Sequence, residues 1–345
     1  MQTQAAILVA VGQPLVMADL EIPALSRGQV LVDIFYSGVC HTQILEARGY
    51  RGEDKFLPHC LGHEGSGCVK EIGPGVTKVK PGDNVILSWI KGAGVDGGGV
   101  KYSWNGKTVN AGPLASFVRL AVVSENRMTV ISEDVSKPEL ALFGCAIPTG
   151  MGAVMNTAQT KSGQAMAIFG LGGIGISALL AAALIKCHPI IAVDINEKKF
   201  DLAKSLGATH VLNPQKGNIV SEIHKICSGG VDVAIEATGN ATVMNQAFES
   251  VKPQGGTAVL VGNARVGSQL TVNPQQFNMG KRLLGTWGGD NSPDYDFPRY
   301  LKLFTDGTLK LSAFTDAIYG LSDVNQAIDD LEAGRVLRPL INMKA

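Results

Sequence analysis

The sequence predicts an α/β protein of two domains, one β-rich and one built on a doubly wound parallel sheet. Three observations carry that reading. In the first third of the chain, short apolar runs are separated by turn residues, with no helical stretch between them. From Ala165 onward, apolar strands alternate with amphipathic stretches, the mark of repeated βα units. And 345 residues are enough for two cores. The boundaries fall at 1–147 for the β-rich domain and 148–288 for the parallel-sheet domain, with 289–345 returning to the first.

The elements follow in order. Gln29–Phe35 alternates as a strand, and Gly67–Ile72 reads as another. Pro81-Gly82-Asp83 is a turn that leads into a third strand, Asn84–Leu87. A glycine-rich loop spans Gly92–Gly99, and the pattern changes near Pro148. Ala165–Phe169, Ile190–Val193, Val231–Ala237 and Ala258–Val261 are strands. Lys198–Leu206 and Ile219–Cys227 are helices between them, and Ile176–Ile185 is an apolar helix suited to burial. After Gly285 come two further helix signals, Tyr300–Thr305 and Ser322–Ala333.

Composition excludes several functions. The 30 basic and 30 acidic residues balance, which removes the electrostatic case for nucleic acid or an anionic membrane. No apolar run reaches the roughly 18 residues that cross a bilayer. Met1-Gln2-Thr3-Gln4 shows neither a basic nor an apolar leader, and six widely spaced cysteines read as reduced thiols, so a cytoplasmic location is expected. With 42 glycines and 17% charged residues, many tight turns and a large apolar interior follow.

The run Gly170-Leu171-Gly172-Gly173-Ile174-Gly175 follows a strand and opens a helix. In that context Gly170 permits a tight turn, Gly172 lets the backbone approach a pyrophosphate, and Gly175 allows close helix–sheet packing. The helix N-terminus adds unpaired N–H groups for the anion. Asp194, at the end of the next strand, suits the adenosine ribose hydroxyls and repels a 2′-phosphate, favouring NAD over NADP. Lys198 and Lys199 close by leave that preference open. Without its context the run is a weak signal, and the alternative is a glycine-rich turn that binds nothing.

Cys40, His63 and Cys145 lie in three separated segments, Cys40 and His63 in glycine-flanked loops at strand ends. Two thiolates and an imidazole form the kind of three-ligand set that holds a catalytic zinc and leaves a fourth position open. Taken singly, each reads as a packing residue, as Cys60, Cys68, Cys187 and Cys227 do. Glu64, beside His63, is a supporting group or alternate fourth ligand. A Lewis acid and a nicotinamide site on one chain point to hydride transfer at an alcohol or carbonyl carbon.

Gly62-His63-Glu64-Gly65-Ser66-Gly67, followed by Gly73 and Val76, resembles the signature of the zinc-containing alcohol dehydrogenases, the zinc branch of the medium-chain dehydrogenases/reductases. Gly38-Val39-Cys40-His41-Thr42 is similar to that family's first ligand loop, and Gly144–Gly150 to its second cysteine loop. The likeness continues through Gly170–Gly175, Val193–Asn196, Leu206–Thr209 and Gly334–Arg338, nearly the whole chain. It implies a GroES-like catalytic domain and a Rossmann domain. It also implies one catalytic zinc on Cys40, His63 and Cys145, with Glu64 beside it, and NAD as cofactor. Thr42 would receive the substrate proton. His41 and Arg338 would contact the pyrophosphate, Thr149 and Val261 the nicotinamide end, and Lys199 would help Asp194 with the ribose. Trp89 would wall the substrate pocket, although it reads almost as well as an ordinary core aromatic. The partner is a small alcohol or carbonyl compound, and the assembly a homodimer or homotetramer.

Three departures from the family pattern stand out. Lys91–Asn110 contains none of the four cysteines of the family's structural-zinc lobe, so no structural zinc is expected and other contacts must hold that loop. Gln43 replaces an aspartate, which leaves zinc affinity open. Leu45 stands where some members carry a proton-relay histidine, so the proton would leave through the cofactor ribose and water. The rivals are a polyol dehydrogenase, disfavoured by Cys145 in place of a glutamate, and a glutathione-linked formaldehyde dehydrogenase, disfavoured by the missing lobe. A zinc-free reductase and a non-catalytic NAD-binding protein are disfavoured because the ligands and Thr42 are all present.

Overall fold

The structure is a computed structural model that describes residues 1–134 and 136–345. The chain forms two compact units, Met1–Cys145 with Ser292–Ala345, and Ala146–Asn291.

The first unit begins with β1 (Gln2–Leu8), β2 (Val16–Glu21) and β3 (Gln29–Gly38). A short helix, α1 (His41–Ala47), precedes β4 (His59–Cys60), β5 (Glu64–Ile72) and β6 (Asn84–Ser88). Then come β7 (Val100–Trp104), β8 (Lys107–Gly112), β9 (Leu120–Ser124) and β10 (Met128–Ile131). The three strands expected here are present, each longer than the sequence pattern indicates. Inward-facing Val30, Val32 and Ile34 on β3 are fully buried, as alternation requires.

The β7–β8 hairpin follows the Gly92–Gly99 loop, in a stretch where the sequence pattern predicts no strand. Its signal is Asn105-Gly106, whose φ values of 51° and 75° match the two-residue turn that joins tightly twisted strands. The hairpin completes a closed barrel in the order β1-β2-β7-β8-β4. The loop before it is held by side chains. Glu125 accepts from the N–H groups of Thr77 (2.6 Å), Lys78 (2.5 Å) and Val95 (2.5 Å). Ser124 Oγ accepts from Gly97 N–H at 2.7 Å, and Asp294 from Ala93 N–H at 2.6 Å.

The second unit opens with α2 (Ala146–Gly152) and then runs β11 (Met166–Phe169), α3 (Gly173–Ile185), β12 (Ile190–Val193) and α4 (Phe200–Ser205). It continues with β13 (His210–Leu212), α5 (Ile219–Ile226), β14 (Val233–Glu236), α6 (Ala241–Ser250), β15 (Thr257–Leu260), α7 (Gln275–Asn278) and β16 (Arg282–Gly285). The sheet order is β13-β12-β11-β14-β15-β16, with every neighbouring pair parallel. This is the doubly wound sheet expected, and the strand order reverses between β11 and β14. The residues of α2 are all buried although it contains Pro148, Gly150 and Gly152, so burial overrides poor helix propensity there.

The chain then rejoins the first unit with α8 (Pro293–Thr305), β17 (Ile318–Gly320), α9 (Val324–Glu332) and β18 (Leu340–Asn342). The helix α8 starts seven residues before the expected Tyr300. Pro293 suits a first helical position, and Asp294 and Asp296 suit the positive end of the helix dipole. β18 pairs antiparallel with β3, Leu340 opposite Gly38, in a sheet ordered β10-β6-β5-β3-β18-β17 with β9 also on β3. Among the described residues, no single helix is long and apolar enough to cross a membrane.

Candidate functional site

In the first unit, three elements deliver the cluster. Cys40 follows the end of β3 and precedes α1, His63 immediately precedes β5, and Cys145 ends the stretch after Gly144. That last segment lies hard against β6. A Cβ at Gly144 would sit 2.1 Å from the Leu87 carbonyl oxygen, so only glycine fits there. Ser88 Oγ donates to the Gly144 carbonyl at 2.6 Å and fixes the approach.

The ligand atoms of Cys40, His63 and Cys145 all lie within 4.8 Å of one another. His63 Nε2 is 3.3 Å from Cys145 Sγ. Cys40 is 5% exposed and Cys145 4%. A bond from the Cys145 thiol, opposed by burial and helped by Arg338, holds Cys40 well below the ordinary thiol range, while Cys145 is pushed well above it. Bonds of roughly 2.0–2.3 Å to nitrogen and sulfur put zinc ligands about 3.3–3.8 Å apart. Two buried thiols and a half-buried imidazole, with one pair of ligand atoms already at 3.3 Å and all three within 4.8 Å, have the donor chemistry of a zinc site.

The remaining predicted residues of this unit surround the cluster. Thr42 Oγ1 lies 3.7 Å from Cys40 Sγ, and His41 opens α1 at the surface. Glu64 and Arg338 form an ion pair with side chains 0% and 3% exposed. Burial raises the Glu64 carboxyl above its usual range despite Arg338, which stays charged beside Cys40 and Glu64. The sequence reading did not foresee this pairing, because 274 residues separate the partners. Trp89 meets His63 edge-on, with ring centroids 6.4 Å apart at 75°. Its carbonyl accepts from Arg127 Nη1. Gln43 joins two of the ligand segments: its Oε1 accepts from Cys40 N–H at 2.9 Å, and its Nε2 lies 2.7 Å from His63 Nδ1.

In the second unit, Gly170 follows β11 with φ of 93°, and α3 begins at Gly173. A Cβ at Gly175 would lie 1.7 Å from the Gly170 carbonyl oxygen, so no larger residue fits. A Cβ at Gly172 meets nothing within 4 Å, which leaves the backbone open for a phosphate at the helix N-terminus, near Ile174. Asp194 Oδ2 accepts from Leu171 N–H at 2.7 Å and lies 3.5 Å from Lys199 Nζ, while Oδ1 accepts from Asn196 N–H at 2.8 Å. Val261 follows β15, its N–H bonded to the Glu236 carbonyl at 2.8 Å. Thr149 is 5% exposed on α2, and among the described residues its Oγ1 finds no hydrogen-bond partner. Open backbone at Gly172, a free helix N-terminus and an oriented carboxylate fit a dinucleotide.

Comparison with known proteins agrees with this chemistry. Residues 26–133 match the alcohol dehydrogenase GroES-like domain, and residues 173–306 the zinc-binding dehydrogenase domain. An S-(hydroxymethyl)glutathione dehydrogenase of Synechocystis sp. is 33% identical over 369 residues, covering 99% of this chain and 100% of that protein. Two solved structures superpose over 99% of each chain at 30% identity. One is an alcohol dehydrogenase zinc-binding domain protein from Burkholderia ambifaria, with a TM-score of 0.91. The other is the benzyl alcohol dehydrogenase of Acinetobacter calcoaceticus, with a TM-score of 0.90. The chain belongs to the zinc-containing alcohol dehydrogenase family of the medium-chain dehydrogenases/reductases.

Proposed function

We propose that this chain is an NAD-dependent zinc alcohol dehydrogenase that interconverts a primary alcohol and its aldehyde. The observation that carries the reading is the convergence of Cys40, His63 and Cys145 within 4.8 Å. When bound, zinc supplies a Lewis acid for an alcohol or carbonyl oxygen, and NAD supplies the hydride acceptor. The chain's residues do the rest. Cys40, His63 and Cys145 hold the metal, and Thr42 takes the substrate proton at Oγ1 and passes on its own. Gly170, Gly172, Gly173, Ile174, Gly175, His41 and Arg338 bind the pyrophosphate. Asp194 and Lys199 orient the ribose, and Thr149 and Val261 meet the nicotinamide end. Trp89 walls the pocket on the side of His63, and Glu64 balances Arg338. Benzyl alcohol and S-(hydroxymethyl)glutathione, which two relatives are named for, both carry a hydroxymethyl group, and this supports a primary alcohol as substrate.

We read the protein as a cytoplasmic homo-oligomer. β16 is the edge strand of its sheet and leaves one row of backbone groups for a second copy, and Trp287 just beyond it is 76% exposed. The test of function is zinc content per chain with and without Cys145→Ala, alongside NADH formation on a panel of primary and secondary alcohols. One zinc per chain, lost in the variant together with activity, supports the assignment. Full turnover in zinc-free protein sinks it.

A further inference from the structure

Gln43 lies inside α1 and is 1% exposed. The two ends of its amide face two different ligand segments. Oε1 accepts from the Cys40 N–H, and Nε2 lies 2.7 Å from His63 Nδ1. In that arrangement Nδ1 is the acceptor, so a neutral His63 carries its proton on Nε2, aimed at Cys145 Sγ 3.3 Å away. Ligation through Nε2 requires the opposite, a lone pair on Nε2 and the proton on Nδ1. The ring then presents a donor to the amide NH2, and donor faces donor.

An amide has one oxygen. With a metal on His63, two donors, Cys40 N–H and His63 Nδ1–H, face a side chain that accepts at only one end. A ligating imidazole is held by an acceptor on its other nitrogen, and losing that partner weakens the metal. We propose that Gln43 is a positioning residue whose amide turns over as the metal binds, and that this turnover sets how tightly the cluster keeps its metal. Turned over, Oε1 accepts from His63 Nδ1–H, and the buried Cys40 N–H gives up its acceptor. This chain therefore holds zinc less tightly than the same three ligands would beside a side chain with two acceptors. The inference rests on the reading of Cys40, His63 and Cys145 as ligands.

The experiment is zinc affinity by competition with a chromophoric chelator, for wild type, Gln43→Glu and Gln43→Met. The glutamate is isosteric and accepts from both donors at once, so it should bind zinc about 10- to 100-fold more tightly. Methionine accepts from neither and should bind more weakly than wild type. A second readout needs no variant to fold: the Gln43 side-chain NH2 resonances of the wild-type protein, assigned through its own backbone, should shift on zinc addition. A glutamate variant no tighter than wild type, or amide resonances that zinc leaves in place, overturns the proposal. Loss of zinc in Cys145→Ala without any glutamate effect would remove Gln43's role and leave the ligand assignment standing. A wild-type chain that binds no zinc would remove both.

Discussion

Glu125 shows what one carboxylate does where the family's lobe has none of its cysteines. It is fully buried, and its two oxygens take three backbone N–H groups from segments some 20 residues apart in sequence, Thr77-Lys78 and Val95. Burial pushes its pKa up, but the bonds from Lys78, Val95 and Thr77 outweigh burial and hold it below its ordinary 4.5. Between the folded value and 4.5 the native state therefore binds fewer protons than the unfolded chain. The stabilisation is complete above 4.5 and fades as pH falls through the folded value. Glu125→Gln keeps an acceptor for Thr77 and Lys78 but turns an NH2 toward Val95 N–H. It should cost about 1–3 kcal/mol in urea unfolding at neutral pH. The gap between variant and wild type should narrow in acid; a gap that stays constant with pH would contradict this account. Nothing in the sequence marks Glu125, because its three partners are backbone atoms that any residue supplies. Cys40, His63 and Cys145 were legible for the converse reason: their chemistry lies in the side chains, and glycines flank them.

At the scale of elements, the β11–α3 turn was the most readable part of the chain. Its glycines answer to contacts that the fold makes specific, above all Gly175 against the Gly170 carbonyl. Gly175→Ala forces that turn apart; the expected result is a loss of about 1–3 kcal/mol in stability and weaker NADH binding by fluorescence titration. Unchanged NADH affinity would mean that the cofactor does not use this turn. Two elements were harder to read. The β7–β8 hairpin carries an explicit Asn105-Gly106 signal, but the surrounding glycines hid it. The helix α2 carries no local signal, since Pro148, Gly150 and Gly152 all disfavour a helix, and only burial in the folded unit makes it one.

At the scale of the whole molecule, the alternation of β-only and βα patterns gave the two architectures, and the chain rejoins the first unit at Ser292. The register that brings β18 onto β3, and with it Arg338 to Glu64, depends on contacts across some 300 residues, which local pattern cannot encode. The two sites should respond separately to their ligands. Hydrogen exchange should slow around Cys40, His63 and Cys145 when zinc is added to stripped protein, and around Gly170–Gly175 and Asp194 when NADH is added. Each ligand at a hundred times its Kd stabilises the fold by about 2.7 kcal/mol. Protection at the glycine turn caused by zinc alone would contradict the division of roles.

The order in which the chain emerges during synthesis gives the Glu64–Arg338 pair a further meaning. The second unit is one continuous stretch and has all its strands available once residue 291 is made. The first unit is discontinuous, and its pieces α8, β17, α9 and β18 are translated only after the whole of the second unit. Until Arg338 arrives, the Glu64 carboxyl has no counter-ion, and to be buried there it would have to take up a proton. The β-rich unit therefore cannot complete the surroundings of Glu64 until the second unit has been made. The three metal-binding side chains are all made by residue 145, so what is completed later is not the donor set but the buried charge balance beside it.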